Sequence, residues 1–435
     1  MTLNAGRGQS NINPHNQINI NKGKKMRTPQ NTQPKVSKAP SLRFPEFKGE
    51  WEEHYLCDYL DFKNGLNPKP DRFGKGLKFI SVMDILNNAI ITNDCIRASV
   101  DVSKEELQNF CVENGDILFQ RSSETLEDVG RANVYIDNKP AVFGGFVIRG
   151  KKKSTYNPLF FRYLLSSPYA RRKIIPMGAG AQHFNIGQEG LSKVKLYFAS
   201  MNEQKKIAKF LSLLDERIAT QVRIIERLET LIRGIMVCLQ RRGLKNGSWE
   251  KTFLYNVLSE RKELNKQLYP VYSVSVSQGV VNQIEYLGRS FAAKDTSNYH
   301  IVRYGDIVYT KSPTGDFPYG IVKQSYNHNN VAVSPLYGVY TPKNFSIGVF
   351  LHEYFRGKIN THNYLHPLIQ KGAKNTINIT NQHFLENKVA IPLLDDEITS
   401  ISKLLLSLNA KVELMQQTRI NYEQQKQYLL RQMFI

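Results

Sequence analysis

Two groups of polar residues in this 435-residue sequence have side chains suited to hydrogen bonding with DNA. In each half of the chain, a Gly-Asp-Ile segment leads into basic and hydroxyl residues, and a later glycine-rich segment carries amide, histidine or lysine side chains. Arginine can pair bidentately with guanine and asparagine or glutamine with adenine, whereas lysine, serine and threonine suit phosphate oxygens. We therefore expect DNA contacts from Arg121, Ser122, Ser123, Gln182, His183, Asn185, Lys311, Ser312, Thr314, Lys374 and Asn375. Each of them taken alone is by default an ordinary residue of a surface loop, and only the repeated sets in a basic chain favour DNA contact.

No catalytic or metal-binding constellation occurs in the sequence. Asn157–Phe160 and Asp316–Tyr319 each lack one residue of the Asn/Asp-Pro-Pro-Tyr/Phe motif of amino-methyltransferases. Phe143–Phe146 vaguely suggests a cofactor loop, but only about a dozen residues separate it from Asn157, too few for a nucleotide-binding βαβ unit. The nine histidines lack ligand spacing, and there is no Walker-type glycine-rich loop. We interpret the near-matches as turns and predict a non-catalytic chain that itself binds no metal and no cofactor.

The net charge favours a polyanionic partner. Lys and Arg number 59 against 38 Asp and Glu, which gives a formal charge of +21. Nucleic acid comes first because no apolar run approaches the length of a membrane-spanning helix, and an acidic membrane surface is the weaker alternative. The four cysteines are scattered without a Cys-x-x-Cys pair, and the N-terminus has no apolar secretory segment. We therefore expect reduced thiols and a cytoplasmic protein.

Two segments predict long helices with coiled-coil seams. Between residues 202 and 240, apolar residues recur every three or four positions without a proline over about five heptads. At roughly 1.5 Å per residue such a helix is about 55 Å long, and its seam needs a partner helix. A similar pattern fills the C-terminal segment. The seam residues are Ile207, Leu211, Leu214, Ile218, Val222 and Ile225 in the first helix and Ile401, Leu405, Leu408, Val412 and Met415 in the second.

The second half of the chain repeats the first. Five segments recur in the same order at offsets of 190 to 198 residues, and five ordered matches indicate an internal duplication. The matches are Gly49–Glu52 with Gly247–Glu250, Asn114–Phe119 with Tyr304–Tyr309, Gly180–Ile186 with Gly372–Ile379, Lys193–Phe198 with Lys388–Leu393, and the two seams.

The duplication predicts an α+β fold in which two tandem mixed α/β domains are separated by two long antiparallel coiled-coil helices, related by a pseudo-twofold repeat. The alternative is that each helix packs on its own domain or on another subunit. We expect a break at 243–247 and a single helix at 158–175. The predicted parts are a disordered basic tail (1–41), a first domain (42–200), a central helix (201–243), a second domain (244–393) and a C-terminal helix (394–435).

Three features give the chain a family likeness. Leu42–Pro45 with Gly49–Trp51, the Gly-Asp-Ile-Leu-Phe segment, and above all Glu203–Leu211 resemble the specificity (S) subunits of type I restriction-modification systems. The likeness covers residues 42–435, and the duplicated plan is more specific than any single motif.

The resemblance implies that each target-recognition domain reads one half of a bipartite site in double-stranded DNA. It implies further that the two helices bind two modification subunits, which carry S-adenosylmethionine and methylate adenine. Two restriction subunits would then add ATP- and Mg²⁺-dependent translocation and cleavage. The alternatives from the residues are a self-sufficient DNA methyltransferase or nuclease, and a dimeric coiled-coil DNA-binding regulator.

Overall fold

The computed structural model describes residues 38–371 and 377–435. Residues 1–37 of the predicted tail, and the predicted contact residues Lys374 and Asn375, lie outside the described residues.

The first lobe is built around an antiparallel four-stranded sheet of order β2-β9-β5-β7, flanked by a three-stranded sheet of order β4-β3-β8. Two smaller pairs, β1 with β11 and β6 with β10, complete it. Its strands are β1 (Glu52–Tyr55), β2 (Leu60–Asn64), β3 (Phe73–Ile80), β4 (Ser99–Val100), β5 (Ile117–Gln120), β6 (Ser122–Ser123), β7 (Ala132–Val134), β8 (Ala141–Phe143), β9 (Val147–Lys152), β10 (Phe184–Asn185) and β11 (Lys195–Phe198). Its helices are α1 (Leu56–Tyr59), α2 (Val82–Asn87), α3 (Lys104–Phe110), α4 (Pro158–Ser166), α5 (Pro168–Ile174) and α6 (Gln188–Ser192).

The second lobe repeats the main sheet and the closing strand pair. Its four-stranded sheet has the order β13-β20-β17-β18, and β12 pairs with β23 as β1 does with β11. Its strands are β12 (Trp249–Phe253), β13 (Leu258–Glu260), β14 (Tyr272–Ser275), β15 (Gly279–Asn282), β16 (His300–Val302), β17 (Ile307–Thr310), β18 (Ile321–Gln324), β19 (Val331–Val333), β20 (Gly338–Pro342), β21 (Gln370–Lys371), β22 (Ile377–Asn378) and β23 (Lys388–Pro392). Its helices are α8 (Gln283–Leu287), α9 (Phe345–Arg356), α10 (Lys358–Leu365) and α11 (Asn381–Phe384).

Two long helices, α7 (Met201–Asn246) and α12 (Asp395–Gln432), form a spacer between the lobes. They run antiparallel. The first turns of α7 pack against the end of α12 and the first lobe, whereas its last turns pack against the beginning of α12 and the second lobe. With 46 and 38 residues, the helices are about 69 Å and 57 Å long. The predicted fold class is confirmed.

The seam residues lie in two hydrophobic clusters, one at each end of the spacer. The cluster of the first lobe holds Ile207, Leu211, Leu214 and Ile218 together with Tyr422, Leu429 and Leu430 of α12. The cluster of the second lobe holds Ile225 of α7 with Ile401, Leu405, Leu408, Val412 and Met415. Val222 is half-buried between them. Each lobe and its spacer end therefore share one core.

The central helix does not break at Gly243, contrary to expectation. It continues to Asn246 and ends at Gly247, whose φ of 76° is the left-handed conformation that glycine tolerates best. Gly243 is buried against the Trp249 ring, where a Cβ atom would lie 2.1 Å from Cδ1. This glycine therefore makes room for a side chain and does not end the helix.

The predicted single helix at 158–175 is also wrong, because the structure has α4 and α5 separated by Ser167. Pro168 lacks an N–H group and disfavours a helical conformation at the residue before it. The Ser167 hydroxyl accepts a hydrogen bond from Ala170 N and so caps α5. The proline in the sequence was a sufficient signal for this boundary.

Candidate nucleic-acid interface

In the first lobe, the structure brings together predicted contact residues from two distant segments. β6 pairs with β10, so that Ser122 lies opposite Asn185 and Ser123 opposite Phe184. The Ser122 hydroxyl donates a hydrogen bond to the Asn185 side-chain oxygen. The segment 178–186 is thus an ordered part of this edge.

Arg121 lies directly before this strand pair. Its backbone carbonyl accepts a hydrogen bond from Ile186 N (2.9 Å), and its backbone N–H donates to Phe146 O (2.9 Å). One guanidinium N–H donates to Gly145 O at 3.2 Å, and this is the only hydrogen bond of that guanidinium within the described residues. A guanidinium has five N–H donors, so this half-exposed group keeps donors for a ligand.

Gln182 and His183 are exposed at the tip of the turn that leads into β10. The turn is closed by backbone hydrogen bonds in both directions between Ala179 and Asn185, at 2.9 and 2.8 Å. Gly180 adopts a φ of 142°, and a Cβ atom there would lie 2.0 Å from His183 O. The backbone of the turn is therefore tightly packed, while its side chains face solvent.

In the second lobe, Lys311, Ser312 and Thr314 lie in the loop that follows β17. The loop is held by reciprocal backbone hydrogen bonds between Thr314 and Phe317, at 3.1 and 2.9 Å. Ser312 and Thr314 are exposed, whereas Lys311 is half-buried. Burial lowers the pKa of Lys311, and the nearby carboxylate of Glu260 opposes that shift.

The repeated Gly-Asp pairs that precede these loops have a structural role that the sequence analysis did not assign. Gly115 and Gly305 have φ values of 95° and 89°, a region open mainly to glycine. Asp116 accepts hydrogen bonds from backbone N–H groups of residues 113 and 152, at 3.0 and 2.9 Å. Burial raises the pKa of the Asp116 carboxyl. Asp306 accepts two hydrogen bonds from the Arg261 guanidinium, at 2.7 and 3.0 Å. Both aspartates fix the strand entering the contact loop.

The Glu-Gln pair at the start of α7 is likewise structural. Glu203 is 1% exposed and accepts two hydrogen bonds from Arg43, both 2.7 Å long. The Gln204 side chain accepts from Asn157 N (3.0 Å) and donates to Ala199 O (2.9 Å). The Asn157 side chain also accepts from Phe160 N (2.9 Å) and caps α4. The methyltransferase near-match at Asn157 is therefore part of a helix cap.

Two polar clusters hold the lobes on the spacer, and neither was found in the sequence. In the first lobe, Asp215 of α7 contacts Arg162 of α4 (3.2 Å) and Lys426 of α12 (2.5 Å). In the second lobe, Arg356 of α9 donates to Glu229 of α7 (3.3 Å) and Asn409 of α12 (3.0 Å). Each cluster joins one lobe to both long helices.

Among the described residues, no group of three His, Cys, Asp or Glu side chains is arranged to hold a metal ion, and the four cysteines are free thiols. No helix in residues 38–371 or 377–435 is both long and apolar enough to cross a membrane. The fold thus defines a protein with two lobes on an antiparallel helical spacer.

Comparison with known proteins shows which family the chain resembles. Residues 48–230 match the model of the type I restriction modification DNA specificity domain. The chain is 27% identical over 209 residues to a Methanocaldococcus jannaschii protein assigned as the type I restriction enzyme MjaX specificity subunit, covering 46% of this chain and 47% of the relative. It is 26% identical over 134 residues to the EcoKI specificity subunit of Escherichia coli, covering 30% of this chain and 28% of that subunit. The matched part thus spans half or less of each relative.

The chain also resembles the crystal structure of a type I restriction-modification S subunit from M. genitalium, with 14% sequence identity and a TM-score of 0.54. The superposition covers 91% of this chain and 99% of the M. genitalium chain. At that identity the likeness shows the fold alone. The resemblance to type I restriction-modification specificity subunits that the sequence predicted is thus confirmed.

Proposed function

We propose that this chain recognises a bipartite site in double-stranded DNA for a type I restriction-modification complex, with one half-site for each lobe. The observation that carries the proposal is the repeated sheet order at opposite ends of one antiparallel spacer. A rigid spacer fixes the distance between two readers, so the site would be two short specific elements around unread bases. The net charge of +21 suits the phosphate backbone.

The repeat also suggests two equivalent docking surfaces, and hence two modification subunits and two restriction subunits. Exposed leucines on both spacer helices, Leu213 and Leu231 on α7 and Leu404 and Leu414 on α12, favour a protein partner along the spacer. S-adenosylmethionine would belong to the modification subunits, and ATP with Mg²⁺ to the restriction subunits. In this proposal the chain supplies no catalytic group. The division into two target-recognition domains and two spacer helices is part of the same proposal, with the central helix extended from the predicted 201–243 to Asn246.

The two alternatives find less support. A self-sufficient methyltransferase would need Asn157 free to act on a base, but its side chain caps α4. A dimeric regulator would need the apolar seams of α7 and α12 to be available to a second chain. The two seams instead pack against each other within the same chain. Binding of S-adenosylmethionine by the purified chain alone would favour the methyltransferase.

The proposal is tested by changing one lobe at a time in the complex with its modification subunits. The first-lobe variant combines Arg121→Ala with Gln182→Ala, and the second-lobe variant combines Lys311→Ala with Thr314→Ala. Mapping of methylated adenines should show relaxed specificity only in the half-site of the altered lobe, with the other half-site and the gap unchanged. Equal relaxation of both half-sites would contradict the assignment of one half-site to each lobe.

A further inference from the structure

The two most exposed large apolar side chains in the described part of the chain lie in matching turns of the two lobes. Leu336 is 73% exposed and Phe146 is 69% exposed. Phe146 lies in the turn between β8 and β9, and Leu336 in the turn between β19 and β20. Because β9 and β20 are the second strands of the two four-stranded sheets, the turns are equivalent in the repeat. Single exposed apolar residues are common, but a matched pair is unexpected.

The turn that carries Phe146 is firmly held. Leu66 N donates to Phe143 O (2.9 Å), Gly65 N to Val147 O (3.1 Å), and Val147 N to Gly144 O (2.8 Å). The exposure of the ring is therefore a property of an ordered turn.

The turn that carries Leu336 is also closed by hydrogen bonds. Tyr337 N donates to Ser334 O (2.9 Å), and Leu336 N donates to the Ser334 hydroxyl (3.3 Å). The Tyr337 carbonyl lies 3.1 Å from His300 Nδ1. The leucine side chain thus projects from a fixed backbone, as the phenylalanine does.

Phe146 and Leu336 each lie at the end of the sheet from which a predicted contact loop leaves. Arg121 N donates to Phe146 O (2.9 Å), and its guanidinium to Gly145 O (3.2 Å). In the second lobe, β17 and β20 pair Tyr309 with Gly338, so Lys311 follows β17 and Leu336 precedes β20 at the same end of this strand pair. Each lobe therefore carries one basic residue and one exposed apolar side chain at the same end of an equivalent strand pair.

We infer that Phe146 and Leu336 contact thymine methyl groups in the major groove, one in each half-site; this inference rests on the proposed function. The basic residues point to DNA, because arginine and lysine bind phosphates and guanine edges. Stacking on a base cannot be the shared role, since leucine has no ring. The thymine methyl is the apolar group that the major groove exposes, and both side chains can bury it.

The test uses the complete complex with duplexes that carry its mapped site, and replaces each thymine in turn by deoxyuridine, which lacks the methyl group. For the unaltered chain, one such replacement in each half-site should weaken binding about fourfold, as expected for burial of one methyl group. Phe146→Ala should weaken binding to the unmodified duplex. In this variant, replacement of thymine by deoxyuridine in the first half-site should cause no further loss of affinity (no uracil effect), whereas the same replacement in the second half-site should still weaken binding. Leu336→Ala should do the same with the two half-sites exchanged. Met83→Ala and Ile359→Ala, which alter side chains that are 60% and 68% exposed, are the matched controls and should keep both effects.

Three results would overturn the inference while the proposed function stands. They are an unchanged uracil effect in both variants, half-sites without thymine, and variants that lose the modification subunit but keep the uracil effect. Loss of the modification subunit with the uracil effect kept would mean that Phe146 and Leu336 contact a protein partner. A complex that shows no site-specific binding even with the unaltered chain would instead reject the proposed function.

Discussion

The carboxylate of Asp215 on α7 lies 2.5 Å from the ammonium group of Lys426 on α12. The same carboxylate accepts a hydrogen bond from the Tyr163 hydroxyl at 2.8 Å and contacts Arg162 at 3.2 Å. One acidic side chain therefore joins the first lobe to both helices of the spacer. Such a contact fixes how the lobe is oriented on the spacer, which matters if two lobes must reach one DNA site together.

We predict that Asp215→Ala destabilises the protein by about 2–4 kcal/mol, because Arg162 and Lys426 would remain close together and poorly solvated without an anion. Chemical unfolding measured by circular dichroism checks this. Asp215→Asn should have a smaller effect, because an amide oxygen can still accept from Tyr163. Glu189→Ala, which breaks an exposed pair with Lys193, is the control and should change little. Equal effects of Asp215→Ala and Glu189→Ala would contradict the role of this cluster.

Alanine substitutions at two glycines of α7 should change the stability of the protein in opposite directions. At Gly243 a Cβ atom would lie 2.1 Å from the ring of Trp249, which is buried and hydrogen-bonded to Glu397 at 2.7 Å. Gly243→Ala should therefore cost about 1–3 kcal/mol despite its better helix propensity. At Gly234 a Cβ atom would meet nothing within 4 Å, so Gly234→Ala should stabilise by roughly 0.5–1 kcal/mol. Thermal unfolding of both variants checks the pair, and a stabilising Gly243→Ala would contradict the steric role of Gly243.

Lys323 of β18 should make the stability depend on pH in the alkaline range. It is 5% exposed, and burial, followed by the nearby Arg356, lowers its pKa to about 8. In the unfolded chain the pKa is about 10.4, so between these values the unfolded state holds a proton that the folded state has lost. Stability should rise across that window by an amount on the order of 3 kcal/mol.

Lys323→Met should remove this rise and stabilise the protein at pH 7. The measurement is the free energy of unfolding from pH 7 to 10.5, taken as the difference between variant and wild type. Lys358→Met, at an exposed position, serves as the control. A difference that does not change with pH would mean that Lys323 has an ordinary pKa.

The length of the spacer should set the gap in the recognised site. The two hydrophobic clusters meet between Ile218 and Ile225 on α7 and between Met415 and Tyr422 on α12. Insertion of one heptad in both intervals adds about 10.5 Å and leaves each cluster intact. At about 3.4 Å per base pair, the gap should lengthen by about three base pairs with both half-sites unchanged.

Methylation mapping of the lengthened chain in its complex checks this prediction. A heptad inserted into α7 alone is the informative control, since it shifts one seam past the other and should lower stability and activity. An unchanged gap with matched insertions would show that the spacer does not set the distance between the readers.

The sequence revealed those parts of the fold that local patterns or repetition determine. The seam of Ile207 and Leu211 is visible because a helical repeat is local, and the antiparallel pairing followed from the duplication. Pro168 marks the boundary between α4 and α5, because proline disfavours a helical conformation at the residue before it. Gly243 was interpreted as a break because its steric role depends on Trp249, whose ring position no local pattern reveals.

The parts that were missed depend on residues far apart in the chain. Ser122 and Asn185 were each proposed as contact residues, but nothing in the sequence pairs β6 with β10. The contact between Asp215 and Lys426 needs the helix register, which the seam pattern leaves open within a turn. Polar contacts of this kind carry no periodic signal, so they become visible only in three dimensions.

The most direct test of the central claim is single-molecule methylation mapping of cells with and without this chain. We predict methylated adenines in one gapped motif, with a specific element on each side, and loss of that methylation when the chain is removed. A motif without a gap, or a gapped motif that persists without the chain, would contradict recognition of a bipartite site by its two lobes.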